Sequence, residues 1–168
     1  MISEVKKMHK NLILLGMPAS GKSTIGKKIS KQLNVEFIDT DDLIIQQTGQ
    51  QLKELLGYDF KEIETSAVKS IKKDFKGVIS TGGSVIYSED AMIYLKSMGT
   101  IIYLQVQFEE IESRIHNFND RGIVIKHGMS FEDLYNERCP LYEKWADEII
   151  VNNNIENTLF KIRNKIGR

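Results

Sequence analysis

Short apolar runs alternate along the chain with longer amphipathic stretches, and this alternation predicts the fold. Five compact runs rich in Ile, Val or Leu are typical of buried strands, and they cover residues 12–15, 35–38, 78–80, 101–106 and 148–151. The stretches between and after them have helical periodicity, and they cover residues 22–33, 41–47, 60–74, 89–96, 109–116, 130–144 and 155–166. Strands separated by helices form parallel sheets, because a parallel pair needs a crossover connection. We therefore predict an α/β fold in which helices flank a five-stranded parallel sheet.

Composition narrows the class of protein. The chain has 168 residues, which favours one domain, and Lys+Arg and Asp+Glu are both 23. This charge balance argues against a general nucleic-acid or membrane-surface protein, since both need a basic excess. Cys139 is the one cysteine, so no internal disulfide can form, and no apolar run approaches the roughly eighteen residues of a membrane span. We expect a soluble, cytoplasmic protein that acts as a monomer on a small molecule.

The segment "LILLGMPASGKSTIG" contains the phosphate-loop pattern G-x-x-x-x-G-K-[ST], between a strand and a helix. Glycines let successive backbone N–H groups face phosphate oxygens, and the helix N-terminus adds partial positive charge. Lys22 can reach the terminal phosphates and the Ser23 hydroxyl can bind Mg²⁺. We therefore predict binding of ATP with Mg²⁺. The nucleotide-binding residues expected from the loop are Gly16, Ala19, Ser20, Gly21, Lys22, Ser23 and Thr24.

Three aspartates follow the second predicted strand in "FIDTDDLI". The chain has no Asn-Lys-x-Asp motif, which argues against a GTPase, and its length favours small nucleotide or metabolite kinases. Because ligands bind beyond the carboxyl ends of strands in an open α/β sheet, Asp39 and Asp41 would face the phosphate loop. The alternative is that Asp41 or Thr40 only caps the next helix. We interpret Asp42 as a first-turn acid that the helix dipole favours.

Taken in order, the motifs of this chain resemble those of the shikimate kinase family over almost the whole length. They are "GMPASGKST", the triplet Asp39-Thr40-Asp41, "DFKEIE", "STGGSV" and "ERCPLY", with an arginine in a segment like the family's lid. The resemblance implies a three-layer P-loop kinase fold with an acceptor-binding segment at about 40–64 and a mobile lid at about 117–129. It also implies transfer of the γ-phosphoryl group of ATP to a hydroxyl of shikimate or a similar polyhydroxy acid.

The resemblance assigns roles on the nucleotide side of the site. Asp39 and Ser23 would lie on the Mg²⁺ side, and Arg121 in the lid would contact the transferring phosphate. Arg114 would stack on adenine, although a solvated helix face is the alternative for this residue. With Asp41 orienting or deprotonating the attacking hydroxyl, the residues expected to be catalytic are Lys22, Asp41 and Arg121.

On the acceptor side, the resemblance implies substrate binding by Asp41, Lys61, Gly82, Gly83 and Arg138. The two glycines end the third strand, where a missing Cβ lets an N–H approach a ligand, although a tight strand exit is the alternative. Arginine is rare here, with 5 Arg against 18 Lys, and its planar fork suits a carboxylate clamp at position 138.

Three positions depart from the family pattern, all on the acceptor side. Lys61 replaces an arginine, Tyr58 a glutamate and Ser84 a third glycine. Either heavy use of lysine has converted position 61, where Glu64 could pair with the ammonium at i,i+3, or the acceptor is a different acid. A gluconate-type kinase is therefore one alternative, and a non-catalytic nucleotide-binding regulator is another.

Overall fold

The computed structural model describes residues 10–56, 59–115 and 122–166 of the chain. Within this part, five strands form one sheet: β1 (Asn11–Leu15), β2 (Glu36–Asp39), β3 (Gly77–Ser80), β4 (Gly99–Gln105) and β5 (Glu148–Val151). Every pairing is parallel and the strand order is β2-β3-β1-β4-β5. The predicted five-stranded parallel sheet is confirmed.

Helices occupy both faces of the sheet, as predicted. They are α1 (Lys22–Leu33), α2 (Thr40–Thr48), α3 (Leu52–Leu55), α4 (Phe60–Ser70), α5 (Glu89–Met98), α6 (Phe108–Arg114), α7 (Phe131–Trp145) and α8 (Ile155–Ile166), with a 3₁₀ turn at Val85–Tyr87. The predicted capping box opens α7, because the Ser130 hydroxyl accepts from the Asp133 N–H and the Asp133 carboxylate accepts from the Ser130 N–H. No helix of the described residues combines the length and apolarity that crossing a bilayer requires.

The alternation of side chains along β1 divides the core into two layers. Leu12 and Leu14 face one side, where they pack with residues of α1 and α8. Ile13 and Leu15 face the other side, where they pack with residues of α4, α5 and α7. All four side chains are buried, so β1 is the centre of the sheet and its carboxyl end lies in the middle of the molecule.

Two helical predictions differ from the structure. The helix predicted over 60–74 ends at Ser70, because Ile71 adopts an extended backbone and both Ile71 and Phe75 turn into the core. The short helix α3 was not predicted, since its four residues are stabilised mainly by a local capping box between Gln51 and Glu54. The burial of two apolar side chains therefore outweighs the helical propensity of the polar segment 72–74 between them.

Residues 122–129 of the predicted lid form neither helix nor strand. Ile123 is buried, and Val124 packs against a small apolar cluster that includes Ile44, Leu55 and Phe60. Residues 117–121, with Arg121, lie outside the described residues, as does Tyr58. The mobility of the lid stays a prediction.

A buried amide at the amino end of the sheet connects β1 and β3 with the last residue of α5. Asn11 accepts from the Gly77 N–H at 2.8 Å and donates to the Met98 carbonyl at 3.2 Å, and its side chain is buried. The substitution Asn11→Ala leaves both backbone groups unpaired, so we expect a loss of about 2 to 4 kcal/mol in the free energy of unfolding. Urea denaturation measures this loss, and the exposed Asn153→Ala control should change it by less than about 0.5 kcal/mol. Equal values for the two variants would contradict the expectation.

Candidate active site

The turn between β1 and α1 builds an anion cradle from its backbone. Gly16 and Gly21 have φ values of 150° and 91°, and Ala19 holds a left-handed φ of 62°. A Cβ at Gly16 would lie 2.7 Å from the Leu104 carbonyl oxygen, so this position requires glycine. The strained conformation of Ala19 is of the kind that persists where the surrounding structure holds a functional loop.

The first turn of α1 keeps its N–H groups available. Its N-cap is Gly21, which has no side chain to accept from them, and no acidic residue lies in the turn. The Lys22 ammonium donates to the carbonyls of Gly16 at 2.8 Å and Met17 at 2.7 Å. Burial lowers the pKa of Lys22 to about 8. Free N–H groups beside a buried ammonium form a site for phosphate.

Two side chains hold this loop from outside. Arg114 donates to the Ala19 carbonyl at 2.9 Å, and Asn152 donates to the Ser20 carbonyl at 2.7 Å. Asn152 accepts in turn from the Thr158 hydroxyl at 2.8 Å, which links the loop to α8. A cavity of about 170 Å³ lies beside Arg114 and Asn152, so Arg114 is more than a solvated helix residue. Asn152 escaped sequence reasoning, although a polar residue directly after an apolar strand was a usable signal.

Asp39 serves both the helix and the phosphate loop. It is the N-cap of α2: its Oδ1 accepts from the Asp41 N–H at 3.0 Å, and its Oδ2 accepts from the Ser23 hydroxyl. The suggestion that Thr40 or Asp41 caps this helix was wrong, because the last strand residue already supplies the acceptor. A carboxylate beside a hydroxyl offers oxygen ligands of the kind that Mg²⁺ prefers, so Asp39 and Ser23 fit the predicted metal.

The predicted phosphate and acceptor residues meet at one cavity of about 360 Å³. Asp41 and Arg138 both line it, and burial, followed by the charge of Asp39, raises the pKa of Asp41 to about 6. Arg138 is 1% exposed and donates to the Val124 carbonyl at 2.7 Å. The predicted site residues that line this cavity are Ala19, Gly21, Lys22, Ser23, Thr24, Asp41, Gly82, Gly83 and Arg138. Leu52, Phe60, Ile123 and Val124 also line it and were not singled out by sequence reasoning.

The turn after β3 brings backbone close to charge. A Cβ at Gly82 would lie 2.3 Å from Glu64 Oε1, and one at Gly83 would lie 3.0 Å from an Arg138 Nη1. The Tyr142 hydroxyl donates to the Gly83 carbonyl at 2.6 Å, so Arg138 and Tyr142 hold the turn from one face of α7. The Gly82 N–H donates to the Thr40 hydroxyl at 3.0 Å, which leaves it no free proton for a ligand. The predicted ligand contact through this N–H is therefore not supported.

Residues 18–166 match the family model described as "Shikimate kinase". The chain belongs to the shikimate kinase family. It is 38% identical over 159 residues to a shikimate kinase of Clostridium botulinum, across 90% of this chain and 93% of that one. A structure of shikimate kinase from Acinetobacter baumannii in complex with shikimate superposes with a TM-score of 0.84, at 26% identity over 94% and 92% of the two chains. A gluconokinase from Sinorhizobium meliloti, at 14% identity and a TM-score of 0.60, shares the fold.

Two of the departures of this shikimate kinase relative from the family pattern, Lys61 and Ser84, lie within the described residues. Lys61 is exposed and lines a separate shallow depression with Thr65 and Ser88, so this placement does not support the predicted carboxylate clamp. The predicted pairing of Lys61 with Glu64 was wrong. Glu64 instead lies on the buried face of α4, where its Oε2 is 2.8 Å from the Ser84 hydroxyl. An acid four residues after Phe60, on an otherwise apolar helix face, was the signal for this burial.

Glu64 should make folding stability depend on pH. Burial raises its pKa from an ordinary 4.5 to about 8, so the unfolded chain releases this proton at lower pH than the folded chain. The stability contribution of this group therefore falls as pH rises between those two values. We expect Glu64→Gln to flatten the decline, as measured by urea denaturation across this range. The exposed Glu62→Gln variant is the control, and a decline that persists unchanged in Glu64→Gln would exclude Glu64 as its source.

Proposed function

We propose that this protein transfers the γ-phosphoryl group of ATP to a hydroxyl of shikimate. The observation that carries the proposal is one cavity whose lining includes Lys22 and Ser23 of the phosphate loop together with Asp41 and Arg138. Phosphoryl transfer depends mainly on positioning and charge stabilisation, and this cavity offers both to a donor and an acceptor at once. Membership of the shikimate kinase family supports the choice of acceptor.

The reaction needs one base and a cation. The acceptor hydroxyl oxygen attacks the γ-phosphorus, the bond from that phosphorus to the β–γ bridging oxygen breaks, and ADP leaves. Asp41 takes the hydroxyl proton, which its pKa of about 6 allows near neutrality. Lys22 stabilises the negative charge that develops on the phosphoryl oxygens. Apolar residues such as Phe60 and Leu52 line part of the cavity, and there they would exclude water from the bound acceptor.

The remaining nucleotide contacts follow from the phosphate loop. Ser23 and Asp39 would hold Mg²⁺, which supplies neutralisation of phosphate charge. Arg114 borders the small cavity beside the loop, and we assign adenine to that side. Arg121 remains our proposed contact to the transferring phosphate, on the strength of the family pattern.

Arg138 is the proposed clamp for the acceptor carboxylate. It is a buried cation on the cavity wall, and a carboxylate would supply the opposite charge that its burial favours. We also propose that the enzyme acts as a monomer in the cytoplasm, a reducing compartment that suits a chain with one cysteine.

An ADP-release assay coupled to NADH oxidation tests the function with shikimate, gluconate and quinate as acceptors. We expect turnover with shikimate, and we expect Asp41→Asn to lower kcat by on the order of 10²–10⁴ because the base is lost. Asp42→Asn is a matched control, since Asp42 is the exposed neighbour of Asp41. Turnover of gluconate alone would favour a gluconate-type kinase. ATP binding without turnover of any acceptor would favour a regulator.

The clamp has its own test. The substitution Arg138→Lys keeps a cation but loses the planar fork, so we expect the KM for shikimate to rise by about tenfold or more while the KM for ATP changes little. Lys61→Ala should raise the shikimate KM less, because Lys61 lies outside the cavity. Steady-state kinetics with each substrate varied gives both values. If Lys61→Ala raises the shikimate KM more than Arg138→Lys does, position 61 binds the carboxylate, as the family pattern suggested.

A further inference from the structure

Ser84 stands between the acceptor cavity and a buried acid. It lines the cavity at the start of the 3₁₀ turn, and its Oγ lies 2.8 Å from Glu64 Oε2. Glu64 is 1% exposed and lies behind the turn, whereas Ser84 is partly exposed. Ser84 therefore contacts Glu64, which does not itself line the cavity, and could also contact a ligand bound in the cavity.

Two buried polar atoms of side chains that border the Gly82–Gly83 turn lack hydrogen-bond partners. Among the described residues, Glu64 Oε1 and Arg138 Nε are the buried side-chain atoms in this condition. They lie on either side of the Gly82–Gly83 turn, because Cβ atoms built there would meet Glu64 Oε1 and an Arg138 nitrogen. Unsatisfied buried groups are rare in native proteins, and a bound carboxylate could accept from the Arg138 Nε–H.

The single hydroxyl proton of Ser84 can point in one direction at a time. If Glu64 is ionised, Ser84 must donate to the carboxylate and offers only lone pairs to the cavity. If Glu64 carries a proton on Oε2, the acid donates to Ser84, and the serine proton is free to donate into the cavity. The protonation of Glu64 therefore decides whether Ser84 presents a donor or an acceptor.

We propose that Ser84 is a specificity-determining residue, whose hydroxyl donates to the acceptor carboxylate beside Arg138 when Glu64 behind it is protonated. This inference rests on the proposed function. The Ser84 hydroxyl would be a second donor to the carboxylate, in addition to Arg138, because Lys61 lies outside the cavity. It also gives a role to the position at which the family pattern has a glycine without a hydroxyl.

The surroundings of Glu64 favour the protonated form near neutrality. Burial is the main cause that raises its pKa to about 8, and the Asp41 carboxylate on α2 acts in the same direction. Arg138 on α7 and Lys22 at the phosphate loop oppose this, as does the hydrogen bond to Ser84. An anionic acceptor bound beside Glu64 would favour its neutral form further.

Isothermal titration calorimetry of shikimate without nucleotide tests the inference at about pH 7 and about pH 9. In the native protein we expect binding to weaken roughly tenfold between the two, as Glu64 ionises and Ser84 loses its free donor. Ser84→Ala should bind roughly five- to tenfold more weakly at the lower pH and lose most of this pH dependence. Ser84→Thr keeps the hydroxyl and should restore both.

The substitution Glu64→Gln distinguishes control of the Ser84 proton by Glu64 from a purely structural role of Glu64. The amide donates to Ser84 at every pH, so we expect tight binding at the lower pH and little weakening at the higher one. Adding Ser84→Ala to Glu64→Gln should change binding by the same factor as Ser84→Ala alone at the lower pH. Thr65→Val is the matched control, since it removes a hydroxyl on the residue next to Glu64 that bonds to Ser88 away from the cavity. It should bind shikimate as the native protein does.

Three results would overturn the inference. One is unchanged shikimate affinity in Ser84→Ala, another is a Glu64→Gln variant whose binding is as weak as that of Ser84→Ala, and the third is pH dependence that survives in both. Thermal melting of each variant identifies misfolding, and Ser84→Thr still decides the matter if Glu64→Gln does not fold. If the native protein phosphorylates shikimate while Ser84→Ala binds it normally, this inference fails alone. If the native protein neither binds nor phosphorylates shikimate, the proposed function fails, and the inference with it.

Discussion

The withdrawal of four ionisable side chains from water, at the carboxyl edge of the sheet, is the constraint on which this site depends. One small region contains Lys22, Asp41, Glu64 and Arg138. Burial lowers the pKa of Lys22 and raises the pKa of Asp41 and of Glu64, and in each case the neutral form is favoured. The Arg138 guanidinium cannot respond in this way, because it stays charged in proteins. Anionic ligands would supply counter-charges to the buried cations, and such interactions are stronger in a desolvated cavity than at an exposed surface.

The backbone makes this concentration of charge possible. Parallel strands bring the ends of β1, β2 and β3 to one edge, so residues far apart in the chain converge there. Carbonyl groups hold the cations in place: Gly16 and Met17 accept from Lys22, and Val124 accepts from Arg138. The contact to Val124 joins Arg138, the proposed acceptor clamp, to the described part of the predicted lid. A ligand carboxylate that competes with the Val124 carbonyl for Arg138 would therefore also affect Ile123 and Val124, which line the cavity.

On the acceptor side, two departures from the family pattern, Lys61 and Ser84, both affect the surroundings of Glu64. With Lys61 on the outer face of α4, Glu64 has no cation beside it on the same helix. Its carboxyl group instead meets the hydroxyl of Ser84, a contact that a glycine at this position could not make. The two departures therefore act together on one group: Lys61 leaves Glu64 without a cation on its own helix, and Ser84 gives it a hydrogen-bond partner. The nucleotide side, from Gly16 to Thr24, follows the family pattern without such compensation.

The sequence by itself determined the α/β fold, the phosphate loop and the position of Asp39 and Asp41, because periodicity and a contiguous motif are local properties. Element ends were less predictable: α4 stops at Ser70 because tertiary burial of Ile71 and Phe75 outweighs local propensity. Only the tertiary structure decided which way the side chains of α4 point. It turned Glu64 inward and Lys61 outward, since the face of a helix that is buried depends on what packs against it. Charge state followed from that choice, because desolvation is a property of the packed site and not of the residue.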